Sequence, residues 1–567
     1  VWDWRRGVAL ATIAGDKNRI LCAACNPFDA EVEDEGLLMG SLVTCGENHV
    51  TFWTVEQVDL MPGDDETRPR RAARLVGQKG VLLGKGVQQT ALSIAFKEDP
   101  DSPLEGCVLV GNQDGSIYIW NRRDGCWGLD NVVPDVHLGP VLCIASATLA
   151  GMAVLTTSGC DGMLRIWDRK SFSGENRHKV REFDVTNATR HCVATSRWGK
   201  IAVSSLDCTE VKNQLRFLVG TTSNELFEIC LDDLKPETSP TATVMVQGHS
   251  SGSATGLAVH PRQDIYVTVG SDGYLRAWDC ESRSAVLVHQ LVGADGALQA
   301  GTCVDVCPAD VGENVNEVAV GLSNGQVVVL RFGNRGEHVE TVASWEGRAS
   351  KKAGRPVTSL KFSPDGGSLA VGGYGGGLDV LNAQEEYKWV AEAKGHAGAV
   401  THMDWSEDGE YLQSNDAALR VLFWRKFRPS FRLQDKPIVL SKHRWQSFTC
   451  TLGWPTMGVF QPGREGHGVN SVDRASDKSV MLLADVSGNV ALTAYPTLHR
   501  DVARKEYHAH SSPLASARFS ASGRYALSLG EADLCVMQWK VSKVEEEAEE
   551  VFVDEAGTPR LDGEGGG

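Results

Sequence analysis

No apolar run in the 567-residue chain is long enough to span a bilayer, and its start carries no signal-peptide pattern. A helical membrane anchor within these residues is therefore excluded. The 15 cysteines lack the even count and regular spacing of a disulfide framework, so the chain is expected in a reducing compartment with free, buried thiols. Net positive charge is lacking as well. The balance of 56 Lys and Arg against 73 Asp and Glu gives −17, which disfavours non-specific binding to nucleic acid. What is abundant is apolar residues, at 42%, and 60 glycines, a globular composition with many turns. The length is too great for one hydrophobic core and calls for two or more domains.

Residues 247–279, QGHSSGSATGLAVHPRQDIYVTVGSDGYLRAWD, hold the pattern on which the rest of the chain varies. Two short β-branched runs lead to the Asp272-Gly273 turn, and the alternating stretch Tyr274 to Trp278 follows. Strands joined by an Asp-Gly turn make a hairpin. Related units recur at about 19–55, 90–120, 137–168, 189–231, 301–332, 355–382, 395–424 and 510–539. Repeats of about 40–60 residues, each of several short strands, predict β-propeller blades. After Trp424 the spacing stretches, and CTLGWPTMGVF at 450–460 reads as an extra pair of strands. The Gly-His pair at 248–249 and the closing Trp278-Asp279 resemble the WD repeat. That resemblance implies a structural hydrogen-bonded tetrad of His249, Thr268, Asp272 and Trp278.

The expected fold is all-β: tandem β-propellers built of WD repeats, the first incomplete in this chain and the second atypical. Residues 1–235 are read as the C-terminal part of the first propeller, because VWDW at 1–4 looks like the end of a blade whose beginning is missing. The Pro- and Thr-rich stretch within 236–246 is read as a linker and 247–541 as the second propeller. Residues 542–567, acidic and Gly-rich, read as a disordered tail or linker.

The order of irregular pieces is more specific than the repeats. VTCGENHVTFWT at 43–54, THMDWS at 401–406, QSND at 413–416, TLGWPTMGVF at 451–460, VNSVDRA at 469–475 and VMQW at 536–539 together resemble the echinoderm microtubule-associated protein-like family. The resemblance runs from residue 1 to about 541. It implies a non-enzymatic, cytoplasmic or cytoskeletal protein that binds tubulin or microtubules and needs no cofactor. A place in the ciliary axoneme, with other axonemal or cytoskeletal partners, is part of the same expectation. Nucleic acid and membrane are not expected partners. The alternative is a propeller adaptor for signalling or ubiquitin-ligase complexes, since a fold does not fix a function.

Several motifs suggest chemistry and have plainer readings. Gly248-His-Ser-Ser-Gly252 fits a nucleophile elbow but lacks the following helix. Cys22-Ala-Ala-Cys25 has redox spacing but sits in an apolar strand, where both thiols are expected to be buried. Gly372 to Gly377 lacks the Lys-Ser/Thr of a phosphate loop and reads as a turn. His508 and His510 resemble a metal pair, yet His510 falls at the Gly-His position of a blade. No catalytic or metal-binding residue is assigned. The candidate partner-binding residues are basic loops: Arg68, Arg70, Arg71 and Arg74; Lys351 and Lys352, with Arg348 and Arg355 beside them; and Arg425, Lys426, Arg428 and Arg432 within a longer basic run from Arg420 to Arg444. Local positive loops on an acidic protein are what an acidic filament surface would engage.

Overall fold

Alternation of apolar and polar residues with period two gives each short strand one face to bury, and a hairpin turn returns the chain beside it. Repeated four times, this makes a twisted four-stranded blade. The computed structural model describes residues 2–542 apart from 4–7, 10, 14, 16, 29–30, 33–37, 60–70, 98–105, 174–176, 190–200, 213, 236–237, 251, 295, 310–314, 334–337, 347–354, 428–429, 461–467, 501 and 509. Ten blades are found among the described residues, every one antiparallel, nine with four strands and the last with three. The protein is an all-β tandem propeller.

Blades 1 to 4 begin with the inner strands Ile20–Cys25, Ala91–Lys97, Val141–Leu149 and Val203–Val211. Blades 5 to 10 begin with Ala254–Val259, Gly301–Val306, Val357–Phe362, Val400–Trp405, Val469–Arg474 and Leu514–Phe519. The outer strand of blade 4 is Thr241–Val246, paired with Leu226–Leu231. Those six residues, read from sequence as linker, are sheet: four of the six are β-branched Thr or Val, and the Pro-rich signal lies just upstream.

Neighbouring blades pack face to face through the side chains between them. Val267, Val269 and Leu275 of blade 5 share a cluster with Val304, Val318 and Val320 of blade 6. Trp405, Trp424 and Phe431 of blade 8 share one with Val380 and Ala391 of blade 7. Inner strands 5 to 8 follow one another around an axis, 9 adjoins 10, and 10 returns to 5. Closure rests on contacts far apart in the chain. Arg524 reaches Asp264 at 3.2 Å and Glu281 at 3.0 Å, Ser522 Oγ donates to Asp264 at 2.6 Å, and Gln538 donates to the Cys280 carbonyl at 2.9 Å.

Between blades 8 and 9 the pattern breaks. Residues 437–460 form two short 3₁₀ turns, Pro437–Leu440 and Trp454–Thr456, joined by irregular chain, in place of the extra strand pair expected from sequence. Pro437, Gly453 and Pro455 fit poorly in a sheet, the prolines because they cannot donate to a ladder. The backbone donors turn instead to blade 8: Gln446 N–H bonds the Trp405 carbonyl and Leu452 N–H bonds Asn415. The segment fills the inner part of a sector that would otherwise hold another blade.

Candidate functional site

The six inner strands of the second propeller repeat one geometry. Each bulges after its first residue, at Ala254/Gly256, Gly301/Cys303, Val357/Ser359, Val400/His402, Val469/Ser471 and Leu514/Ser516. A bulge leaves a residue outside the ladder and re-aims its side chain. At that position Thr255, Thr302 and Thr358 each donate to the first carbonyl of the next inner strand, at 2.8, 2.6 and 2.7 Å, and Asn470 does the same to Leu514 at 2.9 Å.

Three residues further along stand Ala258, Asp305, Lys361, Asp404, Asp473 and Arg518. Asp305 accepts the Phe362 N–H at 2.8 Å and pairs with Lys361 at 3.2 Å; Asp473 accepts the Phe519 N–H at 2.8 Å. Asp404 faces the irregular segment and accepts from Thr449 N–H (2.8 Å), Cys450 N–H (2.9 Å), Ser447 Oγ (2.6 Å), Thr449 Oγ1 (3.0 Å) and Gln413 Nε2 (3.2 Å). The channel inside these strands has a volume of about 320 Å³. Burial raises the Asp473 carboxyl above its usual range, and burial together with Arg518 lowers the His402 imidazole to about 4. The ring charges partner one another or the backbone, an arrangement that stitches blades together. Among the described residues no group of three His, Cys, Asp or Glu side chains could hold a metal ion.

The predicted tetrad residues are brought together. His249 bonds Asp272 and Thr268, each at 3.0 Å, and the Trp278 indole donates to Thr268 at 2.9 Å. The Ser250 N–H and Arg276 also donate to Asp272. Burial alone would raise Asp272, yet His249 and Arg276 hold its carboxyl well below the carboxylate range, while burial lowers His249. Ser250 is thus part of a turn, with a strand and no helix after it.

Three further tetrads went unassigned from sequence: His137, Thr157, Asp161 and Trp167; His396, Ser414, Asp416 and Trp424; His510, Ser528, Asp533 and Trp539. The last two lack the Asp-Gly signature, having Asp416-Ala417 and Asp533-Leu534. The spacing of His to Trp, 28 or 29 residues in those two and 29 in blade 5, was the usable signal.

These networks predict a pH response. A group whose folded pKa lies below its unfolded value contributes stability above the unfolded value and loses it as pH falls. His249, His396 and His402 are all lowered, and so are Asp161 and Asp272. The melting temperature is therefore expected to hold from pH 8 to about 6.5, decline below about 6.5 as the histidines are forced to protonate, and drop more steeply below about 4. A melt series across that range, showing instead a rise on mild acidification, would contradict the buried-neutral assignment.

One other sequence reading changes. Cys25 is exposed and Cys22 half-buried, because no described blade packs over the outer side of this first inner strand. Cys22 stands opposite Cys45 across the sheet rather than pairing with Cys25, and a hydrogen bond with Cys45 lowers the Cys22 thiol to about 6. All 14 described cysteines are free. Gly372 and Gly373 end the strand Ser368–Gly373, residues 374–377 make the expected turn to Leu378–Asn382, and Gly376 at φ +78° takes the left-handed conformation that favours glycine.

The basic clusters are only partly visible. Arg68, Arg70, Arg348, Lys351, Lys352 and Arg428 lie outside the described residues, as does the acidic stretch from 543, and Arg71 is placed only as the start of the strand Arg71–Lys79. Arg74 is exposed. Arg355 is half-buried over the Tyr374 ring. Arg425 and Arg432 come together on one face of blade 8, and Lys426 points to the other.

With this geometry in view, comparison with known proteins places the chain. The family model for the echinoderm microtubule-associated protein second beta-propeller matches residues 255–541. Echinoderm microtubule-associated protein-like 3 of Mus musculus is 26% identical over 559 residues, covering 95% of this chain and 54% of that protein. The human echinoderm microtubule-associated protein-like 1 is 25% identical over 548 residues, with 95% and 56% covered. The 77 kDa echinoderm microtubule-associated protein of Strongylocentrotus purpuratus is 26% identical over 550 residues, with 95% and 67% covered. The chain thus spans roughly half the length of its mammalian relatives. A match that takes in blades 5 to 10 and the irregular sector together is a match to the whole second propeller, and the chain belongs to the echinoderm microtubule-associated protein-like family.

Proposed function

We propose that this chain is a microtubule-associated protein of the cytoskeleton that binds tubulin through loop surfaces of its propellers and performs no chemistry. The family match over 255–541 carries the reading, since relatives covering 95% of the chain bear microtubule-associated names. A scaffold of blades stitched to one another suits binding rather than turnover. The basic runs at 68–74, 348–355 and 420–444 are the contacts assigned to an acidic filament, with Arg71, Arg74, Arg425, Lys426 and Arg432 on strands and not on loops, and repetition along a lattice would multiply a modest single affinity. A place in the ciliary axoneme belongs to the same proposal.

Co-sedimentation of the purified chain with stabilised microtubules tests it. Saturable pelleting is expected, weakening several-fold as salt rises from about 0.05 to 0.3 M, because exposed charges are screened over that range. A folded chain that stays in the supernatant at every salt concentration would reject the reading in favour of an adaptor.

A further inference from the structure

Blade 8 presents two faces with different fates. One packs on blade 7 through Trp405, Trp424 and Phe431. The other carries Tyr411, Phe423, Arg425, Phe427 and Arg432 and looks into the irregular sector. Its inner part is covered, with Phe423 stacked on Trp454 at 5.2 Å and packed against Trp445 at 6.0 Å. Among the described residues nothing covers the outer part, because 437–460 contributes no outer strands. There Arg425 and Arg432 are exposed, and Phe427 is 43% exposed. The following turn adds Ile438 and Val439, 66% and 61% exposed, beside the buried Leu440.

Arg425 and Arg432 are direct cross-strand partners. Like charges directly opposite in a sheet destabilise it. Among the described residues no carboxylate pairs with either; both guanidiniums lie over Phe427, at 5.2 and 5.0 Å, and Arg425 also approaches Tyr411 at 5.9 Å. Two forks held side by side on aromatic rings, without a counter-ion among the described residues, are arranged for bidentate carboxylate recognition.

We propose that Arg425 and Arg432, with Phe427 beside them, form a docking site for a carboxylate-rich polypeptide segment of a partner, seated in the uncovered outer part of the sector between blades 8 and 9. Three observations favour a polypeptide over other anions. Ser430–Leu433 is the outermost strand of its sheet and, among the described residues, has no partner strand on its outer edge, whose backbone donors and acceptors a peptide can match. Phe427, Ile438 and Val439 supply apolar contacts that an isolated phosphate does not use. The net charge of −17 gives no general attraction for anions, so binding rests on the local positive field of the two arginines, which a short acidic segment can occupy. The site deepens the proposed function, and only the identification of the filament as the source of the segment rests on that reading.

The test uses the full chain and a labelled peptide, Glu-Phe-Glu-Phe-Glu-Phe, followed by fluorescence anisotropy. Saturable binding is expected, weakened about tenfold or more by R425A/R432A and by replacing the glutamates with glutamine. Arg432→Lys, which keeps charge and loses the fork, should fall between. Removing either arginine should leave the melting temperature unchanged or raise it, since a like-charge pair is relieved. Equal peptide binding by the double variant overturns the site. So does equal binding of the glutamine peptide, or displacement by inorganic tripolyphosphate as effectively as by unlabelled peptide. If the double variant loses the peptide yet pellets with microtubules unchanged, the acidic-segment site stands and the filament contact lies elsewhere.

Discussion

Replacing Asp404 with alanine should cost about 3–5 kcal/mol and loosen the irregular sector before the rest of the second propeller. The carboxylate is fully buried and accepts from five donors, two of them backbone N–H groups of Thr449 and Cys450. Alanine leaves those donors without a partner, and each orphaned buried donor carries a desolvation penalty. The Asp404→Asn variant should fare little better, because one terminal atom of the new amide is a donor aimed at other donors. Asp305, with one backbone donor and Lys361, is the internal comparison and should cost less. Denaturant melts report the size of the effect, and amide exchange reports its place. If exchange at 446–452 stays as slow in Asp404→Ala as in the parent, the segment is held by packing of Trp445, Phe448 and Trp454 and the stitching by Asp404 is secondary.

The second large effect is expected at Asp272. It is the hub of its tetrad, holding His249, the Ser250 N–H and the Arg276 guanidinium at 2.8 to 3.1 Å in a buried site. Asp272→Ala leaves a buried arginine without its anion and a histidine without its acceptor, an expected loss of about 3–5 kcal/mol. Trp278→Phe keeps most of the apolar area and abandons only the indole bond to Thr268, so about 1 kcal/mol is expected. The ordering of the two, read from denaturant midpoints at pH 7, is the discriminating result. A phenylalanine variant as damaged as the alanine one would mean that Trp278 acts through shape and not through its hydrogen bond.

These two sites mark what could be read from sequence. The Asp272 tetrad lies within thirty residues and depends on a turn, a strand and a Trp at recognisable spacing, so its partners were legible. Four of the five donors to Asp404 lie forty-three to forty-six residues downstream in a stretch without periodicity. A bend toward a buried carboxylate leaves no hydrophobic pattern, and that stretch reads as strands by its apolar content alone. The Arg425 and Arg432 pair was visible as a basic run but not as a pair, because the register that sets them opposite each other is fixed by strand pairing and not by any pattern in the run. Exposure of Cys25 was equally hidden, since burial of one blade face depends on a neighbour that no local pattern names.

Closure of the second propeller has a temporal side. The bonds from Arg524 and Ser522 to Asp264, and from Gln538 to Cys280, join residues some 260 positions apart. Joining the ends of a flexible loop that long carries an entropy cost of about 5 kcal/mol, and contacts of such separation form late. A ribosome must deliver residue 540 before the ring can lock, so blades 5 to 9 emerge first as an open arc with an apolar face at each end. Slow translation or a stall within 510–540 would prolong that arc, and its two unsatisfied faces are the surfaces on which a nascent chain of this protein would engage a chaperone or another copy of itself.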